Sequence, residues 1–210
     1  MSAKQKVFIV GDLDLQLADM WNQSSFYTVA SYITQADILC FQGGVDINPK
    51  LYGEEALPIT SFEDKVDEVD MEAYTRYPNM PKVGICRGGQ FLNVMAGGEM
   101  WQDVNNHSYG HEVINLIDIP KSQYQRNHIL DVTSDHHQMM IPSDLGTVIT
   151  IAHKATEYKT ATKGREHPQY DVEAVWYEHL NALCFQPHPE YNSRYATRAY
   201  FFTLMKYLIG

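Results

Sequence analysis

Short apolar runs recur along the chain, bounded by Gly, Pro, Asn and Asp, and each has the length and composition of a buried strand. Residues 7–10, 26–30, 38–41 and 82–85 read this way in the first half, and 112–117, 129–133, 147–153, 172–177 and 183–186 in the second. Helical spacing appears in fewer places. Residues 12–22 read as a loop or short helix. Residues 63–77 set Val66, Val69 and Tyr74 near helical spacing among dense carboxylates, predicting a helix packed by that apolar side with a solvated acidic face. Residues 89–96 and the aromatic-rich 193–208 complete the helices. The stretch from Trp101 to Pro142 is otherwise irregular. Strands alternate with helices early and then follow one another, which predicts an α/β fold: three layers, a mostly parallel central sheet flanked by helices, and a small antiparallel extension. No repeat, low-complexity tract or linker divides the chain, so residues 1–210 are expected to form a single domain.

Composition narrows the partners. With 44% hydrophobic residues in 210, the chain can bury a sizeable core. A formal charge of −10 argues against nucleic acid or an anionic membrane as the main partner. No run approaches the roughly 20 apolar residues of a membrane helix, and the first strand follows a short basic start without a secretory pattern. A cytoplasmic location is expected. The three cysteines are an odd count without metal-type spacing. Cys40 and Cys184 lie inside apolar strand-like runs and read as buried and inert, and no disulfide framework is expected. Cys86 stands apart.

It sits in Gly84-Ile85-Cys86-Arg87-Gly88, a G-x-C-x-G corner between strand and helix and the thiol analogue of the G-x-S-x-G nucleophile elbow. Glycines two positions either side would let strand and helix approach closely, where a Cβ would collide. Arg87, Gly88 and Gly89 place N–H groups at a helix N-terminus, complementary to a thiolate. Such a thiol needs a base. Among nine histidines, His188 has the best context, "QPHPEY", after a strand and before the terminal helix. Pro187 and Pro189 favour extended backbone, so His188 and Glu190 project to one side, and with some curvature Glu190 could orient the imidazole.

These motifs resemble the class I glutamine amidotransferase-like superfamily, and most closely the γ-glutamyl-amine hydrolases, the γ-glutamyl-γ-aminobutyrate hydrolase-like C26-type peptidases. "GGVDINPKLYGEE", "GICRGGQFLNVMAGGEMWQDV", "SDHHQ", "DVEAV" and "QPHPEYNSRYA" carry the resemblance in order along the chain. It implies a flavodoxin-like amidotransferase fold. It implies Cys86 as nucleophile, His188 as general base and then acid, Glu190 as its orienter, and the backbone N–H groups of Gly44 and Arg87 as the oxyanion hole. Gln90 matches a position touching the glutamyl moiety. His136, His137 and Gln138 match a segment that receives its α-amino and α-carboxylate groups.

The expected activity is therefore cysteine-dependent hydrolysis of a γ-glutamyl amide or glutamine, through a γ-glutamyl thioester, without cofactor or metal. The alternative within that chemistry is an amidotransferase module delivering ammonia to a separate synthetase or ligase chain. A non-catalytic or redox-sensing domain on the same scaffold is disfavoured because both His188 and Glu190 are present. The compact chain and the short region after Trp101–Val104 bear on the leaving-group side. His107 and His111 lie four apart, but Ser108 and Gly110 argue for a loop and no carboxylate partner is evident, so no metal is expected there. The acidic run 62–74 lacks a calcium loop, and no phosphate-cradling loop is present.

Overall fold

The computed structural model describes residues 3–154, 156, 159–160, 170–191 and 195–210. In chain order the strands are β1 (Gln5–Val10), β2 (Tyr27–Val29), β3 (Ile38–Phe41), β4 (Lys82–Ile85), β5 (Glu99–Trp101), β6 (Asp103–Val104), β7 (His111–Asn115), β8 (Ile129–Val132), β9 (Met139–Ile141), β10 (Thr147–Ala152), β11 (Lys159–Thr160), β12 (Val172–Tyr177) and β13 (Ala182–Phe185). The helices are α1 (Leu15–Gln23), α2 (Asp64–Arg76), α3 (Arg87–Met95) and α4 (Tyr195–Leu208). Residues 193 and 194 of the predicted terminal helix lie outside the described residues.

Among the described residues the central sheet has nine strands in the order β2-β1-β3-β4-β13-β12-β10-β7-β8. The first five run parallel, and the last four extend them antiparallel. The expected fold class is thus observed, with an extension larger than the patterning suggested. Two ladders were not apparent in the sequence, β5 with β9 and β6 with β11. Each of these strands is two or three residues long, too short for an alternation to register.

Alternation along the parallel strands explains the layers. Ile38, Cys40, Val83, Ile85, Leu183 and Phe185 join one core with α1 and α4, whereas Leu39, Phe41, Ala182 and Cys184 join the other with α2 and α3. Strands buried on both faces read as continuous apolar runs, as these do. On the first face Trp21 meets Tyr27 and Phe201 edge-on at 5.4 and 5.5 Å, worth roughly 0.5–1.5 kcal/mol per pair beyond the area buried. Helix α1 begins at Asp14, whose carboxylate accepts the Leu17 N–H at 2.9 Å, a cap worth about 1 kcal/mol. Cys40 and Cys184 are fully buried, as expected, and burial pushes both thiols well up. Among the described residues no helix is long and apolar enough to cross a membrane.

Helix α2 corrects the sequence reading. Its buried residues are Asp67, Asp70 and Ala73, while Val69 is 38% exposed. The helix is turned so that two carboxylates face inward, because a buried guanidinium waits for them.

Candidate active site

Strands β3, β4 and β13 are side by side and parallel, so their carboxyl ends open on one crevice, the usual location of sites in such sheets. The middle strand ends at Cys86. Its backbone, φ 50° and ψ −112°, is a conformation that costs a non-glycine residue roughly 1–3 kcal/mol. The chain then enters α3 directly. The expected role of the flanking glycines follows from the packing. A Cβ on Gly84 would lie 2.1 Å from the Gly88 carbonyl oxygen, and one on Gly88 would lie 2.0 Å from the Phe41 oxygen. Helix, β4 and β3 are in backbone contact around the thiol.

After β13 the chain brings His188 to the same corner. Its N–H donates to the Thr133 carbonyl at 3.2 Å, and the Thr133 hydroxyl donates back to the His188 carbonyl. Residues 189 and 190 form a turn rather than extended backbone, and this curvature carries Glu190 Oε1 to 2.6 Å from His188 Nδ1. Arg198 of α4 holds the turn by donating to the carbonyls of Pro189 and Glu190, each at 3.1 Å. Cys86 also acts on this imidazole, through its charge and a side-chain interaction. Gly43 closes the group: a Cβ there would stand 3.3 Å from His188 Cε1 and 3.8 Å from Cys86 Cβ. Tyr191 stacks on the His188 ring, centroids 4.4 Å apart and planes nearly parallel. Thr133, Arg198 and Tyr191 were not found by sequence reasoning. Burial alone would push His188 down, but the charge and hydrogen bond of Cys86, with those of Glu190, raise it to about 10.

The Arg87 N–H opens α3 and so has no intrahelical acceptor. Gly44, the other expected donor, follows β3 on the neighbouring strand end. The side chain of Arg87 turns away from the sulfur and pairs with Asp67 and Asp70, all three buried. Burial raises Asp70 to about 6 despite the guanidinium's opposing pull. A cleft of about 440 Å³ lies on the Arg87 side, between the ends of β1 and β3 and helix α2, and neither Cys86 nor His188 lines it.

The four residues expected to bind substrate divide. Gln90, one turn into α3, donates to the Gln138 carbonyl at 3.1 Å and the Gln186 side chain at 3.2 Å. The buried Gln138 amide has no partner among the described residues. His137 instead pairs with Asp46 at 3.1 Å, and this hydrogen bond holds its pKa above the ordinary value despite burial. The His136 ring is turned into the interior beside His107. Neither imidazole faces the thiol, so only the backbone of this segment is available for the role the resemblance implied.

The Peptidase C26 family matches residues 18–190, a span containing Gly44, Cys86, Arg87, Gln90, residues 136–138, His188 and Glu190. The chain belongs to the Peptidase C26 family. Among relatives of this Peptidase C26 chain, the glutamine amidotransferase-like protein YvdE of Lactococcus lactis is 30% identical over 183 residues, 75% of each chain. Protein NtpR of Enterococcus hirae is 37% identical over 87 residues, covering 40% of this chain and 36% of that protein. Solved structures give the fold. A glutamine amidotransferase of Thermotoga maritima superposes with a TM-score of 0.59 at 15% identity, over 98% of this chain and 86% of that one. A chain of the PurLQS structure from the same organism gives 0.65 at 14%, over 98% and 100%. The family match and the YvdE relative, together with this fold, place the protein in the class I glutamine amidotransferase-like superfamily.

The sequence reading of "NHSYGH" also needs correction. His107 does lie in a loop and His111 opens β7, but carboxylate partners come from the start of β12, two strands away in the sheet. Asp171 and Glu173, both fully buried, face these rings. Burial would raise both carboxyls, but His107, Lys159 and Thr156 beside Asp171, and His107 and His111 beside Glu173, hold them well below the usual range. In this Peptidase C26 chain the resulting cluster stands behind the segment bearing Gln138.

Proposed function

We propose that this protein cleaves a γ-glutamyl amide bond through a thioester on Cys86. The observation that carries the reading is His188, held between the Cys86 thiol and Glu190 at the carboxyl end of adjacent parallel strands. Thiolate beside imidazolium is the attacking pair, and Glu190 fixes the ring with Nδ1 toward the carboxylate. The sulfur adds to the side-chain amide carbon of glutamine or a γ-glutamyl amine. The oxyanion that forms is met by the N–H groups of Gly44 and Arg87, each worth on the order of 3 kcal/mol. His188 gives its proton to the departing ammonia or amine, leaving the γ-glutamyl thioester. Water, deprotonated by His188, then adds to the thioester carbonyl, and release of the thiol yields glutamate. Gln90 and the 136–138 backbone would hold the glutamyl end.

Purified protein offered glutamine and a panel of γ-glutamyl amides should release glutamate from at least one. Cys86→Ala should release none, and undiminished turnover by that variant refutes the proposal. Full-length coverage of the PurLQS chain supports a second role for the same chemistry, ammonia delivery to a synthetase or ligase. Glutaminase turnover that rises only when a synthetase chain is added assigns the protein to that role.

A further inference from the structure

Three imidazoles converge on one carboxylate at the inner end of β12. Glu173 Oε1 lies 3.1 Å from His107 Nδ1, 3.0 Å from His111 Nε2 and 3.9 Å from His136 Nε2. Ligand atoms of His107, His111 and Glu173 all fall within 4.8 Å of one another. Side-chain exposure is 2% for His107 and His136, 0% for Glu173 and 18% for His111, which gives the cluster its opening to solvent.

The outer nitrogens decide what the inner ones can do. His107 Nε2 faces the Asp171 carboxylate at 3.0 Å. His136 Nδ1 faces the Gln138 carbonyl at 2.8 Å, and His111 Nδ1 the Tyr109 carbonyl at 3.4 Å. Carbonyls and ionised carboxylates only accept, so each outer partner can take its ring's proton and leave the inner nitrogen free to ligate. In a neutral ring the inner nitrogen is then a bare lone pair. Three such lone pairs would repel the carboxylate oxygen they face, so positive charge is needed among them, from a proton on a ring or from a metal ion. Among the described residues His107 Nδ1, His136 Nε2 and Glu173 Oε2 have no hydrogen-bond partner. Protons serve this geometry only in part: His111 Nε2 and His107 Nδ1 come within 3.0 and 3.1 Å of Glu173 Oε1, but His136 Nε2 at 3.9 Å is too far for a hydrogen bond. A metal ion serves it well. Bonds of about 2.0–2.2 Å to nitrogen and oxygen put tetrahedral neighbours about 3.3 Å apart, within the observed spread. An outer acceptor on every ring is also the usual arrangement around histidine-held metals, where it fixes the tautomer.

We propose that His107, His111 and Glu173, with His136 completing the set, form a binding site for a borderline divalent transition cation of the zinc, cobalt or nickel class. Nitrogen-rich donors with one carboxylate select such ions over magnesium or calcium. The ion would join the loop before β7, the β8–β9 connection and β12. It would thereby brace the segment whose Gln138 carbonyl holds Gln90, a positional role independent of the chemistry proposed for Cys86.

The test uses the full chain carrying Cys86→Ser, so that no thiolate competes, stripped with a chelator and titrated with cobalt(II) alone. One cobalt per chain, with visible d–d bands displaced by zinc, is expected. His111→Ala, made at the most exposed ligand, should weaken binding about 10–100-fold, and His179→Ala, at an exposed histidine outside the cluster, should not. Should His111→Ala fail to fold, nitrogen-15 spectra of the Cys86→Ser chain serve instead: zinc should shift the inner nitrogens of His107, His111 and His136 while their outer N–H groups persist. Absence of stoichiometric cobalt bands overturns the proposal. So does equal affinity in His111→Ala, or zinc shifts confined to other histidines.

Discussion

Adding one methyl group at Gly88 should separate the two proposed oxyanion donors. A Cβ there would stand 2.0 Å from the Phe41 carbonyl oxygen and 2.4 Å from its carbon. Ordinary closest C···O approaches are about 3.3 Å, so in Gly88→Ala the end of β3 and the start of α3 must part by more than about 1 Å. Both obstructing atoms are backbone, and no rotamer relieves the clash. Overpacking of this kind costs about 1–3 kcal/mol, or a few degrees in Tm for a chain of this size. The functional cost should be larger. Phe41 leads into Gly44 and Gly88 follows Arg87, so the displacement falls between the two N–H groups, and a misplacement of about 1 Å lowers turnover about 10²-fold. The loss should appear mainly in kcat, since these donors act on the oxyanion. Gly97→Ala is the control. Gly97 has φ +81° with no atom within 4 Å of a Cβ, so alanine there costs about 1–2 kcal/mol in backbone strain and should leave kcat/KM unchanged. Glutamate release, paired with thermal melts, separates the two. A folded Gly88→Ala protein with full kcat refutes the argument that backbone contact at this corner sets the site.

Arg87→Leu removes the partner of two buried carboxylates and should cost about 3–5 kcal/mol at neutral pH. Burial already raises Asp70 to about 6, so losing the guanidinium raises it further. Its carboxyl is then protonated in the fold at lower pH, and urea denaturation should show the deficit shrinking from pH 7 to pH 5. His188, raised from 6.5 to about 10, carries the opposite kind of linkage: its charged ring stabilises the fold fully below about pH 6.5, and that contribution is lost as pH rises through about 10. In Cys86→Ala the ring loses the thiolate's charge and hydrogen bond, so the alkaline loss of stability should begin at lower pH; an unshifted profile contradicts the proposed pairing. Glu190→Gln should lower kcat on the order of 10²-fold or more with little change in KM, as measured by steady-state glutamate release.

What the sequence revealed was local. Gly84, Cys86 and Gly88 share one strand-to-helix corner, and His188 and Glu190 are two residues apart, so spacing alone could suggest their geometry. The parallel strands were legible because burial on both faces leaves uninterrupted apolar runs such as Ile38–Phe41. What it concealed depended on partners distant along the chain. The inward face of α2 was misassigned to Val66 and Val69 because nothing near Asp67 and Asp70 announces that Arg87, some 20 residues on, arrives unpaired. Thr133 and His188 meet only because β8 and the end of β13 are both brought against α4. His107 found its carboxylates 64 and 66 positions away, through a β12 register that periodicity does not specify. The helical spacing of His107 and His111 was a poor guide, since a loop brings their rings to 4.7 Å by another route.

Acid-quenching the protein within its first turnover of a γ-glutamyl amide, then weighing the peptide that contains Cys86, tests the central proposal most directly. The account predicts one γ-glutamyl group on that peptide, removed by hydroxylamine and absent from Cys86→Ala. Glutamate formed at full rate by Cys86→Ala, with that peptide never acylated in the parent chain, would contradict it.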